Sequence, residues 1–150
     1  MSNAKLTMYH ANAKSTGSAL SLELVPAANE VEGGIVWRLA PQKSGSATFD
    51  WMRSVEAKLH LVELADVLRV FRGEQESIAD GKGLFIRRDR NYTVVRLRHT
   101  LEPCQGYEIA MIDRDLASGV VRDCRFWLTC SEAVALCCAV EQSFARVAFG

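Results

Sequence analysis

Hydrophobic and polar positions alternate along most of the chain, and helical spacing interrupts this alternation twice. In the first half the alternation predicts four β-strands, which are Lys5–His10, Ser18–Val25, Ile35–Leu39 and Val55–Leu59. Pro41 ends the third strand, because a proline cannot donate to a strand ladder. Leu61–Phe71 then repeats apolar residues at intervals of three and four, which predicts a helix that ends near Gly73.

The second half of the chain repeats this plan. Four further strands are predicted, namely Leu84–Arg88, Tyr92–Thr100, Tyr107–Met111 and Asp123–Leu128. Thr129 and Glu132 fit a capping box, so a second helix is expected over about Ser131–Phe149. The order β4-α-β4-α predicts an α+β domain of two four-stranded antiparallel sheets over residues 5–150. Met1–Ala4 are consistent with a remnant of an expression vector and lie outside this domain.

The second predicted helix contains a long apolar stretch. Between Ala133 and Val140 no side chain is polar beyond two thiols. A helix that is apolar on every side is buried on every side, so we expect another subunit to cover its outer face. The alternative, a helix enclosed entirely by its own domain, stays open at this point.

Composition excludes several classes of protein. The 150 residues are 49% hydrophobic, which is typical of a globular chain and excludes a disordered one. No apolar run approaches the roughly 18 residues that a membrane span needs, so no membrane partner is expected. The 18 basic and 18 acidic side chains cancel. A nucleic acid would therefore have to be held by a local patch rather than by the overall charge.

The five cysteines favour a reducing compartment. They are Cys104, Cys124, Cys130, Cys137 and Cys138. Their number is odd and no pair has C-x-x-C spacing, so neither a disulfide framework nor a zinc site is indicated. Buried thiols fit this pattern best, and the N-terminus lacks a secretory signal. The sequence therefore predicts a cytoplasmic location.

No motif for catalysis or for a cofactor occurs. His10, His60 and His99 lie far apart in the sequence, and no serine stands in a G-x-S-x-G motif. A P-loop and a G-x-G-x-x-G motif are also absent. We therefore predict that the protein is not an enzyme and holds neither a cofactor nor a metal.

Basic side chains are concentrated in one segment. Lys82–Arg98 has six of them against the single acid Asp89. Strand alternation places Arg96 and Arg98 on the same face as Tyr92. Arginines interleaved with aromatic rings suit single-stranded nucleic acid, because the cations contact phosphates and the rings stack on bases. The alternative is an ordinary solvated sheet face.

The order of several local sequences resembles the Whirly family of single-stranded DNA-binding proteins. Gly34–Pro41 reads GIVWRLAP and precedes Phe49-Asp50-Trp51, as a strand ending in Ala-Pro precedes Tyr-Asp-Trp in that family. The resemblance includes Ala57–Leu64, resumes at Val94–Pro103 and ends with Phe126–Gly150. The family's Lys-Gly-Lys-Ala-Ala-Leu motif is represented only by Lys14–Leu20, which lacks the second lysine.

The resemblance implies two sheets packed crosswise, tetramers formed through the C-terminal helix, and binding of single-stranded DNA with little sequence preference. Family members protect genomes during repair, and regulation of transcription is a further expected role. The absence of a transit peptide and of a longer tail suits a bacterial or phage-type relative.

We therefore predict a non-catalytic, homotetrameric single-stranded DNA-binding protein. Its candidate DNA contacts, from the resemblance and from the basic segment, are Lys14, Ser15, Ser18, Trp37, Lys43, Phe49, Trp51, Arg87, Arg88, Tyr92, Arg96 and Arg98. For Trp51 the alternative is a tryptophan in the core. For the whole chain the alternatives are a homo-oligomeric scaffold of the same fold without nucleic-acid binding, and an RNA-binding protein.

Overall fold

The computed structural model describes residues 3–102 and 105–150. Two expectations from the sequence fall partly outside these residues. One is the N-terminal remnant, of which Met1 and Ser2 are not described. The other is the Whirly-like segment Val94–Pro103, of which Pro103 is not described; the next residue, Cys104, is not described either.

The first four strands form one antiparallel sheet in sequence order. They are β1 (Lys5–His10), β2 (Ser18–Val25), β3 (Gly34–Pro41) and β4 (Val55–Leu59), and helix α1 (Leu61–Phe71) follows. A single 3-10 turn, Trp51–Arg53, precedes β4 and was not predicted. Leu22 pairs with Trp37, which in turn pairs with Ala57, so these apolar residues share the inner face.

The last four strands form a second antiparallel sheet with the same plan. They are β5 (Leu84–Arg87), β6 (Asn91–Thr100), β7 (Gly106–Asp115) and β8 (Val121–Leu128), and helix α2 (Cys130–Phe149) follows. The predicted α+β class and the order β4-α-β4-α are confirmed. Strands β7 and β8 are longer than predicted, because polar residues such as Asp113 and Arg122 continue the ladder beyond its buried part.

The inner faces of both sheets and one side of each helix share a hydrophobic core. Trp37, Phe126 and Leu136 are among its largest fully buried side chains. At about 25 cal/mol per Å² of apolar surface removed from water, these large side chains contribute most to holding the sheets together. Each sheet is therefore left with one outer face.

The predicted capping box begins α2 one residue earlier than expected. The Glu132 N–H donates to Thr129 Oγ1 at 3.1 Å, and the Thr129 N–H donates to Glu132 Oε1 at 3.0 Å. His10, at the end of β1, lies 2.7 Å from the second oxygen of Glu132 and stacks on Phe126. The start of α2 is thus tied to the first sheet.

One side of α2 packs into the subunit through Ala133, Leu136, Val140 and Val147. The opposite side exposes Val134, Cys138 and Phe149, and Val134 is 63% exposed. The subunit therefore covers only part of the apolar helix surface. Within residues 3–102 and 105–150, neither helix is long and apolar enough to cross a membrane.

Candidate nucleic-acid interface

The outer face of the second sheet combines arginines with aromatic rings. Strand register places the members of this surface, here called the arginine face, side by side. They are Phe85, Arg87, Tyr92, Arg96, Arg98, Glu108, Arg114, Asp123, Arg125 and Trp127. Five arginines against two carboxylates leave a formal excess of three positive charges on this face. Among the described residues, no carboxylate lies within 4.0 Å of Arg87, Arg96 or Arg114.

Glu108 lies at the centre of the arginine face and is only 5% exposed. Arg98 Nε donates to Glu108 Oε1 at 3.0 Å. Arg125 Nη1 lies 3.6 Å from Glu108 Oε2. The Arg98 guanidinium also stands 5.7 Å from the centre of the Trp127 ring, within the range of a cation–π contact. One buried carboxylate therefore orients two arginines beside an exposed indole.

A depression of about 380 Å³ adjoins this cluster. Arg96, Arg98, Glu108 and Arg125 line one side, and Glu76, Ser77, Ile78 and Gly81 line the other. The His99 N–H donates to the carbonyl of Glu76 at 2.8 Å, which holds this segment against β6. The depression is thus open to solvent, bordered by cations, and supported by backbone pairing.

The segment at the rim of the depression adopts an unusual backbone. Ala79 and Asp80 have φ values of 50° and 53°, in the left-handed region that side chains other than glycine rarely adopt. Strand and helix periodicity does not reveal such a pair, because a left-handed backbone at two successive residues other than glycine is uncommon.

A second group of aromatic rings lies at one end of the first sheet. Tyr9 and Phe49 contact each other with ring centres 5.6 Å apart. Trp51 is 38% exposed and lines a depression of about 510 Å³ together with Tyr9 and Arg38. The alternative of a core tryptophan at Trp51 therefore does not hold.

Lys5 and Arg38, on the outer face of the first sheet, are paired with carboxylates. Arg38 Nε donates to Glu56 at 2.6 Å, and Lys5 lies 3.2 Å from Glu23. Burial raises the pKa of Glu56, but Arg38 and Arg88 outweigh this by hydrogen bonding and charge, and they hold the pKa below its ordinary value. Lys5 and Arg38 are therefore already engaged within the subunit.

The loops that carry Lys14, Ser15 and Lys43 lie against each other. Gln42 joins them, because its Oε1 accepts from the backbone N–H of Asn12 and of Gly17, both at 3.0 Å. Ser15 Oγ accepts from the Gly45 N–H at 2.9 Å. Lys14 and Lys43 are both exposed. The structure thus brings these three predicted residues together at the same end of the first sheet as Phe49 and Trp51.

Three of the predicted contacts are occupied within the fold. Trp37 is 1% exposed, and its indole N–H has no hydrogen-bond partner among the described residues. Ser18 is buried, and its hydroxyl donates to the carbonyl of Arg125. Arg88 points away from the arginine face and donates to Glu56 Oε1 at 2.9 Å. The predictions that Trp37 and Ser18 contact DNA therefore do not hold, because these side chains are buried where they connect parts of the subunit. Arg88 lies off the arginine face, and its role as a contact stays a prediction.

Of the remaining predicted residues, Arg87, Tyr92, Arg96 and Arg98 all lie on the arginine face. Sequence reasoning did not propose Phe85, Arg114 or Glu108 as part of it. Phe85 could have been found, because it shares strand parity with Arg87. Glu108 could not, since an outward glutamate on a strand is ordinarily exposed.

Of the four cysteines that the structure describes, only Cys124 is buried, and Cys130 and Cys138 are exposed, so the expectation of buried thiols holds in part. Burial raises the pKa of the Cys124 thiol to about 11 and that of the Cys137 thiol to about 11, so both are protonated at neutral pH. In the part of the chain that the structure describes, no three His, Cys, Asp or Glu side chains are grouped so that they could hold a metal ion.

Neither a protein-family model nor a curated protein sequence matches the chain. Solved structures do match it. WHY1 from Arabidopsis thaliana has a TM-score of 0.78 at 15% identity, over 98% of this chain and 86% of that one. The plant transcriptional regulator PBF-2 has a TM-score of 0.74 at 16% identity, over 98% and 83% of the two chains. A guide-RNA-binding protein complex bound to a guide RNA has a TM-score of 0.58 at 11% identity, over 94% and 88%. The chain therefore has a Whirly-like fold, as the order of its motifs predicted.

Proposed function

We propose that this protein binds single-stranded DNA without catalysis, and that the arginine face is its main binding surface. The observation that carries the proposal is the interleaving of Arg87, Arg96 and Arg114 with three exposed or half-exposed rings on one sheet face. These arginines have no carboxylate partner within 4.0 Å among the described residues, so their charge is available to phosphates.

The aromatic rings explain why a single strand is favoured over a duplex. Phe85, Tyr92 and Trp127 offer ring faces on which unpaired bases can stack, at about 1–3 kcal/mol per base. A duplex hides its base faces and could use only the arginines. Because stacking and phosphate contacts read no base edges, little sequence preference is expected.

The aromatic end of the first sheet extends this surface as a second, weaker contact region. Trp51 and Phe49 supply rings there, and Lys14 and Lys43 supply charge from the adjacent loops. Ser15 is held in the same loop pair. Since Arg38 is already bound by carboxylates, we expect this region to contribute stacking more than phosphate binding.

The structural neighbours support a nucleic-acid partner in general terms. One is named as a plant transcriptional regulator, and another was solved with a guide RNA. RNA is therefore the competing ligand in any test. Roles in genome protection, repair or transcription regulation, and origin in a bacterium or phage, belong to the same proposal and rest on the resemblance to the Whirly family.

We also propose that the subunit assembles into a tetramer through α2. The side of this helix that faces away from the core exposes Val134, Cys138 and Phe149. Contact with another copy would remove this apolar surface from water, at about 25 cal/mol per Å².

Fluorescence anisotropy with labelled oligonucleotides tests the function. Oligo-dT, a mixed single strand, the same sequence as duplex, and the matching RNA are titrated at one salt concentration. We expect both single DNA strands to bind alike and about tenfold or more tighter than the duplex. Equal affinity for duplex and single strand would contradict the role of stacking. Tighter binding of RNA would change the ligand to RNA, and absence of binding would leave a scaffold of the same fold.

A further inference from the structure

We propose that Glu108 is a positioning residue that holds Arg98 and Arg125 ready for one backbone phosphate of the bound strand. A negative charge on this surface would then strengthen the binding of a polyanion. The inference rests on the proposed function and deepens it, because it identifies where on the arginine face a phosphate is held most firmly.

The burial of Glu108 is the first observation. A carboxylate that is only 5% exposed is costly unless cations and hydrogen bonds surround it. Asp123 lies on the same sheet face but is exposed, and it has no ion pair within 4.0 Å among the described residues. Of the two carboxylates on the arginine face, Glu108 is therefore buried and paired, whereas Asp123 is exposed to water.

The atoms that contact Glu108 are the second observation. Arg98 uses Nε and Arg125 uses Nη1, at 3.0 and 3.6 Å. A guanidinium has five N–H donors, so the pairing leaves most of them unused. The side chains of Arg98 and Arg125 are 51% and 59% exposed, which leaves these donors accessible to a ligand.

Trp127 supplies the third observation. The Arg98 guanidinium is held 5.7 Å from the indole centre, so the ring and the carboxylate fix this arginine from two directions. The indole itself is 36% exposed. A phosphate on Arg98 would therefore lie next to a ring on which the adjoining base can stack, with Arg96 on the same face of the same strand.

Preorganisation explains why a carboxylate would help. Without Glu108, Arg98 and Arg125 would repel each other and would sample many rotamers, and a ligand would have to order them. Fixing a flexible side chain before binding removes this cost, which is appreciable for arginine. Simple Coulomb attraction makes the opposite prediction, since removing a negative charge should attract phosphates more strongly.

The pair Glu108→Gln and Asp123→Asn separates these two expectations. Both changes remove one negative charge from the same sheet face and keep the shape of the side chain. We expect Asp123→Asn to tighten oligo-dT binding slightly, and Glu108→Gln to weaken it about tenfold despite the added positive charge. Affinities are measured by anisotropy, and thermal unfolding is recorded for each variant.

A measurement on the free protein tests the positioning directly. In ¹⁵N NMR spectra, the Arg98 Nε–H should exchange slowly with water in the wild type and in Asp123→Asn, and rapidly in Glu108→Gln. A purely structural role of Glu108 would lower the unfolding temperature without changing Arg98 exchange relative to neighbouring amides. If Glu108→Gln does not fold, the variant Arg98→Lys replaces it as the test of the positioned arginine. It keeps the charge but loses the forked donors, and it should also weaken binding about tenfold.

Each outcome has a definite meaning. Binding by Glu108→Gln that equals or exceeds that of Asp123→Asn overturns the inference while the proposed function stands, as does unchanged Arg98 exchange. If Glu108→Gln does not fold, unchanged affinity of Arg98→Lys for oligo-dT also overturns the inference about Glu108. A wild type that binds no nucleic acid overturns the proposed function as well, even where slow exchange of the Arg98 Nε–H supports the geometry.

Discussion

The two sheets share strand number, strand order and an alternating inner face, but their outer faces differ. On the first sheet, Lys5 and Arg38 are bound to Glu23 and Glu56. On the second sheet, arginines outnumber carboxylates, and Arg96 among others has no carboxylate within 4.0 Å in the described part of the chain. Pairing, rather than the count of basic residues, therefore decides whether a charged sheet face is free for a ligand.

The chemistry of the cations differs as well. Every basic residue of the arginine face is an arginine, whereas Lys5 and Lys58 stand on the first sheet. An arginine can hold a carboxylate with one part of its fork and still offer donors to a phosphate, which a lysine does less well. Arg38 of the first sheet contacts two carboxylates, Glu23 and Glu56, whereas Arg98 and Arg125 of the arginine face share one. More donors therefore remain for a ligand on the second sheet.

The helices that close the two sheets differ in the side chains that they expose. The exposed side of α1 includes Arg69 beside the apolar Val62, whereas the exposed side of α2 carries Val134 and Phe149.

The largest expected effect is the loss of assembly when the exposed side of α2 is changed. Light scattering should show the wild type to be larger than a monomer, and Val134→Glu should produce folded monomers, because an unpaired charge in an apolar contact costs several kcal/mol.

Val62→Glu is the matched control for assembly. Val62 is 74% exposed on α1, so this change should leave the molecular mass unchanged. Leu136→Glu does not test assembly, since Leu136 is fully buried in its own subunit and its replacement should unfold the chain. A wild type that is a folded, monodisperse monomer at micromolar concentration would exclude the tetramer.

The next largest effect concerns the cations of the two outer faces. Arg96→Ala together with Arg98→Ala should weaken single-strand binding on the order of 100-fold, because charge-assisted hydrogen bonds are worth about 1.5–3 kcal/mol each. The slope of log affinity against log salt should flatten by about 1.4, since each phosphate contributes about 0.7. Anisotropy over a range of salt concentrations measures both quantities.

Lys5→Ala together with Arg38→Ala removes the same charge from the first sheet, at two cations that are paired with carboxylates. We expect this variant to bind nearly as well as the wild type, and to lose up to about 1 kcal/mol of stability because Glu23 and Glu56 lose a partner. Equal losses of affinity in the two double variants would remove the distinction between the sheets.

Removing either of the two exposed tryptophans should have a smaller effect on the affinity for single-stranded DNA. Trp127 and Trp51 are about equally exposed; Trp127 lies on the second sheet, and Trp51 lies in the 3-10 turn at one end of the first sheet. Trp127→Ala should weaken oligo-dT binding by about 1–3 kcal/mol, and Trp51→Ala by an amount near the lower end of that range, about 1 kcal/mol. Quenching of tryptophan fluorescence by oligo-dT in each single variant reports which indole stacks. If neither variant differs from the wild type, base stacking on these rings is ruled out.

The smallest effect is the dependence of stability on pH. The pKa of Glu56 is held below its ordinary value of 4.5 by Arg38 and Arg88, against the opposing effect of burial. Its contribution is therefore present above the ordinary pKa and is lost as the pH falls through the lowered one. Chemical unfolding between pH 6 and about pH 3 should show a smaller decrease for Glu56→Gln, by less than about 1 kcal/mol. Glu30→Gln, at an exposed position, should follow the wild type.

Much of the fold could be predicted from the sequence, because strand and helix periodicity are local properties. Alternation predicted all eight strands, and Thr129 with Glu132 marked the start of α2 to within one residue. For the same reason alternation gave the shared face of Tyr92, Arg96 and Arg98. It also placed Trp37 among apolar residues, although the motif comparison had proposed it as a contact.

The sequence could not determine which outward side chains form ion pairs within the subunit and which remain exposed. Arg87 and Arg88 are neighbours in the sequence, yet Arg88 reaches Glu56, 32 residues away on the other sheet, while Arg87 lies on the arginine face with no carboxylate within 4.0 Å among the described residues. Glu108 is buried because Arg98 and Arg125, on the two flanking strands, cover it. Periodicity assigns each side chain to a face, whereas its pairing and exposure depend on which strands lie opposite, and only the tertiary structure decides that.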